Sequence, residues 1–202
     1  MQEAEERQLI EKVKGGDSKA FEELLFYYEK SIYSICLRML KNEEEAMDAA
    51  QEVALKLWRQ LHLFEYKSKL STWIYRLTTN QCLDQLRKLK HKRDISLFQQ
   101  DREKEEEWLL ESPDEGALVE PKIEQKELQD ILQQAIMELK EDYRVILVFR
   151  DIKHYAYEEI AEILEISLGT VKSRLSRARL ALKKVLEQDK EPYRSFFRLK
   201  RQ

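Results

Sequence analysis

Apolar residues recur at spacings of three and four along most of this chain, the mark of helices that each bury one stripe. Phe21, Leu24, Leu25 and Tyr28 open one stripe, and Ile32, Ile35, Cys36, Met39 and Leu40 extend it. Gly15 and Gly16 break a shorter helix ahead of it. Asp17 or Ser18 is placed to cap the new start by accepting an unpaired first-turn amide. Asn42 marks the next boundary. A third helix begins near Glu43 and turns Ala46, Ala49, Ala50, Val53, Leu57 and Leu61 inward; its leading carboxylates suit the positive end of the helix dipole. Phe64 to Ser71 reads as a polar loop. Ser71 or Thr72 caps a fourth helix that runs to about Lys92, with Trp73, Ile74, Leu77, Leu83 and Leu86 as its apolar positions.

The period fails from Asp94 to about Pro121. Pro113, Gly116 and Pro121 fall here and carboxylates outnumber bases, so the stretch reads as a tether extended by self-repulsion, with one apolar island at Trp108, Leu109 and Leu110. Helical spacing resumes at Ile123 and passes through Leu128, Ile131, Leu132, Ile136 and Leu139. A further helix spans Tyr143 to about Lys153. Two short helices follow, with Ile160, Ala161, Ile163, Leu164 and Ile166 on the first and Val171, Leu175, Ala178 and Leu182 on the second, and Ser167 caps the second. The pattern predicts an all-α chain: a helical domain over 1–93, an acidic flexible linker over 94–122, a second helical domain over 123–188 and a basic, aromatic tail over 189–202. It contains no internal repeat.

Composition narrows the chemistry. Of 202 residues 37% are charged, which favours solvated helices, yet the net charge is only −3. The chain as a whole therefore does not attract nucleic acid, and any such binding must come from local patches. Cys36 and Cys82 lack CxxC spacing and a nearby His cluster, which argues for packed, reduced thiols rather than a metal site. No apolar run approaches the length of a membrane span and the N-terminus is acidic, so a cytoplasmic protein without membrane insertion is expected. His62, His91 and His154 are scattered, and no nucleophile–base pair or phosphate-cradling glycine loop is present. Neither catalysis nor a cofactor is expected.

Two local patches stand out. Between Lys172 and Lys184 the exposed positions carry Lys172, Arg174, Arg177 and Arg179 with Ser173 and Ser176, and no carboxylate, although acids outnumber bases overall. A cationic helix following a tight turn fits the major groove of duplex DNA, with long cations reaching phosphates. The second patch, residues 64–93, interleaves Phe64, Tyr66, Trp73 and Tyr75 with Lys67, Lys69, Arg76, Arg87, Lys88, Lys90, Lys92 and Arg93. Single-stranded nucleic acid calls for this mixture, cations for the backbone and apolar surfaces for unstacked bases. Asn80 adds an amide able to read a base edge. Phe64 and Trp73 also fit ordinary core positions. The helix from Glu43 exposes Asp48, Gln51 and Glu52 followed by Leu55 and Trp58, which suits either a protein-binding surface or a solvated acidic face.

These runs resemble a known family. Gly16-Asp-Ser-Lys-Ala-Phe21, Asp48-Ala-Ala-Gln-Glu-Val53, Ser71-Thr-Trp-Ile-Tyr-Arg76 with Asn80 and Asp84, Tyr157-Glu-Glu-Ile-Ala-Glu162 and Gly169-Thr-Val-Lys-Ser-Arg174 are similar, in order, to bacterial sigma factors of the extracytoplasmic-function group of the sigma-70 family. The resemblance implies a region 2 bundle that binds the β′ clamp helices of RNA polymerase core through Asp48, Gln51, Glu52 and Leu55. That bundle would capture and melt the −10 element with Phe64, Lys67, Lys69, Leu70, Trp73, Tyr75, Arg76 and Asn80. It also implies a region 4 helix-turn-helix, near the β flap, that reads the −35 duplex with Lys172, Ser173, Arg174, Ser176, Arg177 and Arg179. An anti-sigma factor is a further implied partner. The chain departs from the family at Glu65-Tyr-Lys-Ser-Lys69, where many members carry an Arg-Gly-Asp-like sequence, and at Ala156, where a Ser or Thr cap is usual. A helix-turn-helix regulator acting without polymerase would account for the second patch but leave the aromatic-basic loop and the Asp48–Glu52 face idle. A sigma-like antagonist would bind polymerase without starting transcription.

Overall fold

The computed structural model describes residues 3–40, 42–99 and 120–188. Trp108, Leu109, Leu110 and the tail from Pro192 lie outside them. The chain runs through α1 (Glu3–Lys14), α2 (Ser18–Met39), α3 (Glu43–Gln60), a single 3-10 turn (Leu61–Leu63), α4 (Leu70–Gln99), α5 (Glu120–Met137), α6 (Glu141–Leu147), a π-helical turn (Val148–Ile152), α7 (Tyr157–Leu164) and α8 (Leu168–Leu186). Among the described residues there is no strand.

Local chemistry sets most of the boundaries. Gly16 takes φ +90°, a left-handed conformation that favours glycine, and the chain reverses there. Of the two candidate caps, Asp17 starts α2: its carboxylate accepts from the Lys19 and Ala20 amides at 2.9 and 3.1 Å. Asn42 Oδ1 accepts from the Glu45 amide at 2.7 Å and starts α3. α4 differs from expectation at both ends. It begins at Leu70, so neither Ser71 nor Thr72 caps it; the Trp73 amide instead donates to the Lys69 carbonyl at 3.2 Å. It continues past Lys92 to Gln99, and α5 begins at Glu120 with Pro121 one residue inside, where the missing amide is an orphan anyway. Helix therefore covers both ends of the stretch read as a linker.

α2, α3 and α4 pack together, with α1 lying against α2 and the 3-10 turn. Leu24, Ile32, Ile35, Met39, Val53, Leu57 and Ile74 are at most 1% exposed. Each such side chain contributes about 1.5–3 kcal/mol when fully buried. The buried Thr78 and Thr79 hydroxyls donate back to the Ile74 and Tyr75 carbonyls at 2.9 and 2.8 Å, so α4 hides both without an orphan. Cys36 and Cys82 are buried free thiols, their Sγ atoms 3.6 Å apart between α2 and α4.

The second body is not loose on the first. α5 and α6 rest on α2, and α7 lies along α4. Edge-on rings Tyr28, Tyr75, Tyr155 and Phe149 form a continuous path across the seam, with centroids 6.5, 5.6 and 5.7 Å apart. Arg144, 5% exposed, locks the same seam. Its guanidinium donates to the Met39 carbonyl at the end of α2 at 2.5 Å, to Met137 at the end of α5 at 2.7 Å and to Leu139 at 3.3 Å. Arg38 and Gln133 add a reciprocal pair, side chain to side chain at 3.2 Å and Gln133 amide to the Arg38 carbonyl at 3.3 Å. Arg144→Ala should lower unfolding stability by about 3 kcal/mol in a urea titration, because the lost charged hydrogen bonds leave buried carbonyls unpaired. Arg144→Lys should recover little of it, since an ammonium cannot fork between two helix ends.

Candidate nucleic-acid interface

The tight turn between α7 and α8 is built on Glu165, a non-glycine residue at φ +53°, and the Ile166 amide closes it on the Ala161 carbonyl at 3.1 Å. Ser167 caps α8 by accepting the Thr170 amide at 3.1 Å. Ala156 supplies no side-chain cap to α7; Glu159 reaches back to accept its amide at 3.0 Å and retains half of a capping box. Ile160, Ile163, Val171, Leu175 and Ala178 are buried between the two helices and their neighbours.

α8 sorts its cations into two kinds. Arg179 forms a bidentate pair with Asp151 of the π-helical turn at 3.0 and 2.5 Å, and the aspartate bond raises the arginine's pKa further. Arg174 lies 3.5 Å from Asp142. The sequence pattern showed no carboxylate on this face, because both acids come from a different helical segment. Lys172, Ser173, Ser176 and Arg177 remain exposed. Among the described residues Arg177 bonds within its own helix, Nε to the Ser173 carbonyl at 3.2 Å and Nη2 to Ser173 Oγ at 3.3 Å, which preorganises it over the open face.

The aromatic-basic patch is divided differently from expectation. Phe64, Leu70 and Tyr75 are 4%, 1% and 6% exposed: they are core, held there by helical spacing and by the ring contacts of Phe64 with Trp73 (5.6 Å) and Tyr75 with Tyr155. Trp73 is half-buried, whereas Lys67, Lys69 and Asn80 are exposed. Lys67 pairs with Glu65 at 2.5 Å. Three of the expected −10 residues face α7: Lys69 lies 3.6 Å from Glu159, Arg76 pairs with Glu165 at 2.7 Å and donates to the Glu162 carbonyl at 2.9 Å, and Tyr75 touches Tyr155. Spacing along one chain could not reveal these contacts with a segment 80 or so residues away.

A cleft of about 610 Å³ opens between the 64–71 loop and α1. Tyr66 sits at its edge with φ +60°, a conformation costing about 1–3 kcal/mol for a non-glycine residue. Its hydroxyl donates to Glu11 at 2.6 Å, and burial together with that bond pushes its pKa up to about 12. The same bond holds the Glu11 carboxyl below its ordinary range.

On α3, Asp48, Gln51, Glu52 and Leu55 are all exposed, flanked by exposed Met47 and Trp58. Phe21 packs edge-on against Trp58 at 5.0 Å and fixes its ring. Leu25, Tyr33, Met47 and Ala50 line a mainly apolar groove of about 350 Å³ between α2 and α3.

A helical bundle with an acid-and-apolar face, followed by a helix-turn-helix with an open cationic helix, is the architecture of a transcription initiation subunit. Residues 25–92 match the model for sigma-70 region 2, and residues 129–182 match that for sigma-70 region 4. The chain is 38% identical to the ECF RNA polymerase sigma factor SigW of Bacillus subtilis over 88% of this chain and 94% of that protein. It is 31% identical to the RNA polymerase sigma-H factor of Pseudomonas aeruginosa over 91% and 94%. It also superposes on the sigma factor RpoE from Bartonella quintana, solved with the anti-sigma factor NepR, with a TM-score of 0.61 and 26% identity over 85% of this chain and 99% of that one. The chain belongs to the sigma-70 family, in its extracytoplasmic-function group, and directs RNA polymerase to promoters. Among the described residues no helix is long and apolar enough to cross a membrane.

Asp151→Asn should release Arg179 and strengthen binding to nonspecific duplex DNA. The gain should steepen the logarithmic salt dependence by about one phosphate contact, read by fluorescence anisotropy across a salt series.

Proposed function

We propose that the two patches divide promoter reading by the form of the DNA. α8 lies in the −35 major groove with Lys172, Ser173, Ser176 and Arg177 toward the bases and phosphates, and Arg174 and Arg179 at the flanks. The observation that carries this is the sorting of α8's cations: those tied to Asp142 and Asp151 brace the helix, while Lys172 and Arg177 stand open, Arg177 on a preorganised face. Region 2 takes the unpaired non-template strand of the −10 element, with Asn80, Lys67 and Trp73 on the accessible surface and Phe64, Leu70 and Tyr75 supporting it from the core. Lys69 and Arg76 join it once α7 moves off α4. The functional units follow the 1–93 and 123–188 division, with the acidic segment between them running along polymerase.

The exposed α3 face with its apolar groove docks on the β′ clamp helices. Asp48, Gln51 and Glu52 supply the charge, and Leu55, Met47 and Trp58 the buried area. The same apolar surface suits an anti-sigma factor of the kind seen with the Bartonella protein. The chain acts in the cytoplasm and contributes binding rather than bond-making chemistry. Extruding a base costs a few kcal/mol. Capture repays about 1–3 kcal/mol per stacked base, and polymerase contacts supply the remainder.

Transcription with purified core polymerase on a random promoter library tests this reading. The full chain should select promoters sharing two separated elements. Arg177→Ala should weaken binding to the selected −35 duplex by about 1–3 kcal/mol and relax the base preference at one position. Asn80→Ala should slow strand opening more than closed-complex formation. Equal opening rates for Asn80→Ala and the parent would remove Asn80 from the −10 site.

A further inference from the structure

The region 2 family match begins at residue 25 and the region 4 match ends at residue 182. At the first of these edges, the start of α2 carries a surface that neither the promoter faces nor the polymerase face uses. Phe26 is 66% exposed, more than any other large apolar side chain among the described residues, and Tyr27 is 48% exposed. Their rings meet edge-on at 6.2 Å. Residues three and four apart are neighbours on a helix, so exposed Glu22, Glu23 and Glu29 surround Phe26, with Lys30 the one cation at that spacing. Tyr27 borders a shallow cleft of about 260 Å³ against α1, lined also by Glu5, Gln8, Lys12 and Glu23. Two rings among carboxylates call for a partner that brings cations and apolar side chains together.

The chain itself carries such a segment. Residues 189–202 lie outside the described ones. Between Pro192 and Gln202 the sequence holds Arg194, Arg198, Lys200 and Arg201 with Tyr193, Phe196, Phe197 and Leu199, and no carboxylate. Packing brings its point of departure near α2. Leu186, at the end of α8, is buried with Ile131 and Ala135 of α5, and Arg38 of α2 donates to Gln133 of α5 at 3.2 Å. Tyr27 and Arg38 are separated by three turns of α2 and lie on one line along it. The way from α8 to Tyr27 is thus two helix-to-helix steps of about 9 Å each and about 17 Å along α2. Extended chain covers about 3.4 Å per residue, so residues 189–197 span the diagonal to the two rings. We propose that the basic, aromatic tail docks on the outer face of α2, with Phe196 and Phe197 against Phe26 and Tyr27 and with Arg194 and Arg198 among Glu22, Glu23 and Glu29. A guanidinium pairs with carboxylates and also lies favourably over aromatic faces, so arginine suits both parts of the surface. The covalent tether favours this occupant over a separate one, because it holds the tail at an effective concentration in the millimolar range. The docked tail joins the end of the second body to the start of the first.

Hydroxyl-radical footprinting of the full chain tests this, with the labelling of Phe26 and Tyr27 read by mass spectrometry. Both rings should be protected in the parent at low salt. Phe196→Ala with Phe197→Ala should raise their labelling by about threefold or more, and so should Arg194→Glu with Arg198→Glu. Glu22→Arg with Glu23→Arg should do the same, and combining the two charge reversals should restore protection to within about twofold of the parent. Circular dichroism should show the same helix content throughout, since none of the substituted positions belongs to the buried core. Equal labelling of both rings in the parent and the tail variants overturns the proposal, as does a failure of the paired reversals to restore protection. Protection that depends on protein concentration assigns the face to a second copy and overturns it. Protection that appears only with core polymerase assigns the face to polymerase and overturns it as well.

Discussion

The seam between the two helical bodies depends on a buried positive charge whose hydrogen bonds, among the described residues, go to main-chain carbonyls. Arg144 is held by main-chain carbonyls at the C-terminal ends of α2 and α5, where aligned peptide dipoles leave partial negative charge. Desolvation lowers the arginine's pKa, yet a guanidinium remains charged at any pH the fold tolerates. The cost of burying it is met only while both helix ends are present. One side chain thus links the last turn of α2 in the first body to the last turn of α5 in the second. The aromatic path from Tyr28 to Phe149 continues the same join as apolar area. With α6 and the π-helical turn fixed in this way, α7 has one place to lie, along α4, and the cations at the start of α4 meet its carboxylates.

Charge on this protein is informative only locally. A net charge of −3 attracts no polyanion, and acids are spread through most of the chain. The fold turns this unpromising balance into two cationic surfaces by deciding which acids come near which bases. Asp142 and Asp151 neutralise the flanking arginines of α8 and leave its centre open. Glu159 and Glu165 do the same at the α4 seam. Exposed pairs of this kind contribute little to stability, so their main consequence is to set where positive potential survives. The chain belongs to the sigma-70 family and directs RNA polymerase to promoters.

The 64–71 loop shows how strain and support are distributed. Tyr66 adopts a backbone conformation that glycine would accept freely. A side chain is kept there because it can be anchored: its hydroxyl reaches Glu11 and its ring lies beside Arg7 and Lys14. The anchor also couples a loop of region 2 to a helix that precedes the family match, so the shape of the cleft is a property of both segments.

Helix identity and helix faces were legible from spacing, because a buried stripe at intervals of three and four has one physical solution. Caps with side-chain acceptors, Asn42 and Ser167, were equally legible, as was the two-body order read from motif resemblance. The ends of α4 were not. Leu70 joins the helix through the Lys69 carbonyl, and the continuation to Gln99 runs through a stretch whose charge reads as linker. Nor could spacing separate Phe64, Leu70 and Tyr75, which are core, from Lys67 and Asn80, which are open, since aromatic and apolar residues serve packing and base contact alike. Long-range pairing belonged wholly to the tertiary structure. Arg179 with Asp151, Arg76 with Glu165, Tyr66 with Glu11 and Arg144 with Met39 join residues far apart in the chain, and a one-dimensional pattern carries no term for which charges and orphan carbonyls the packing will bring within 3 Å or so. Periodicity and motif order were enough to set most of the helices, their buried faces and the class of protein. The packing of those elements set which of the candidate cations are paired and which stand open on the surface.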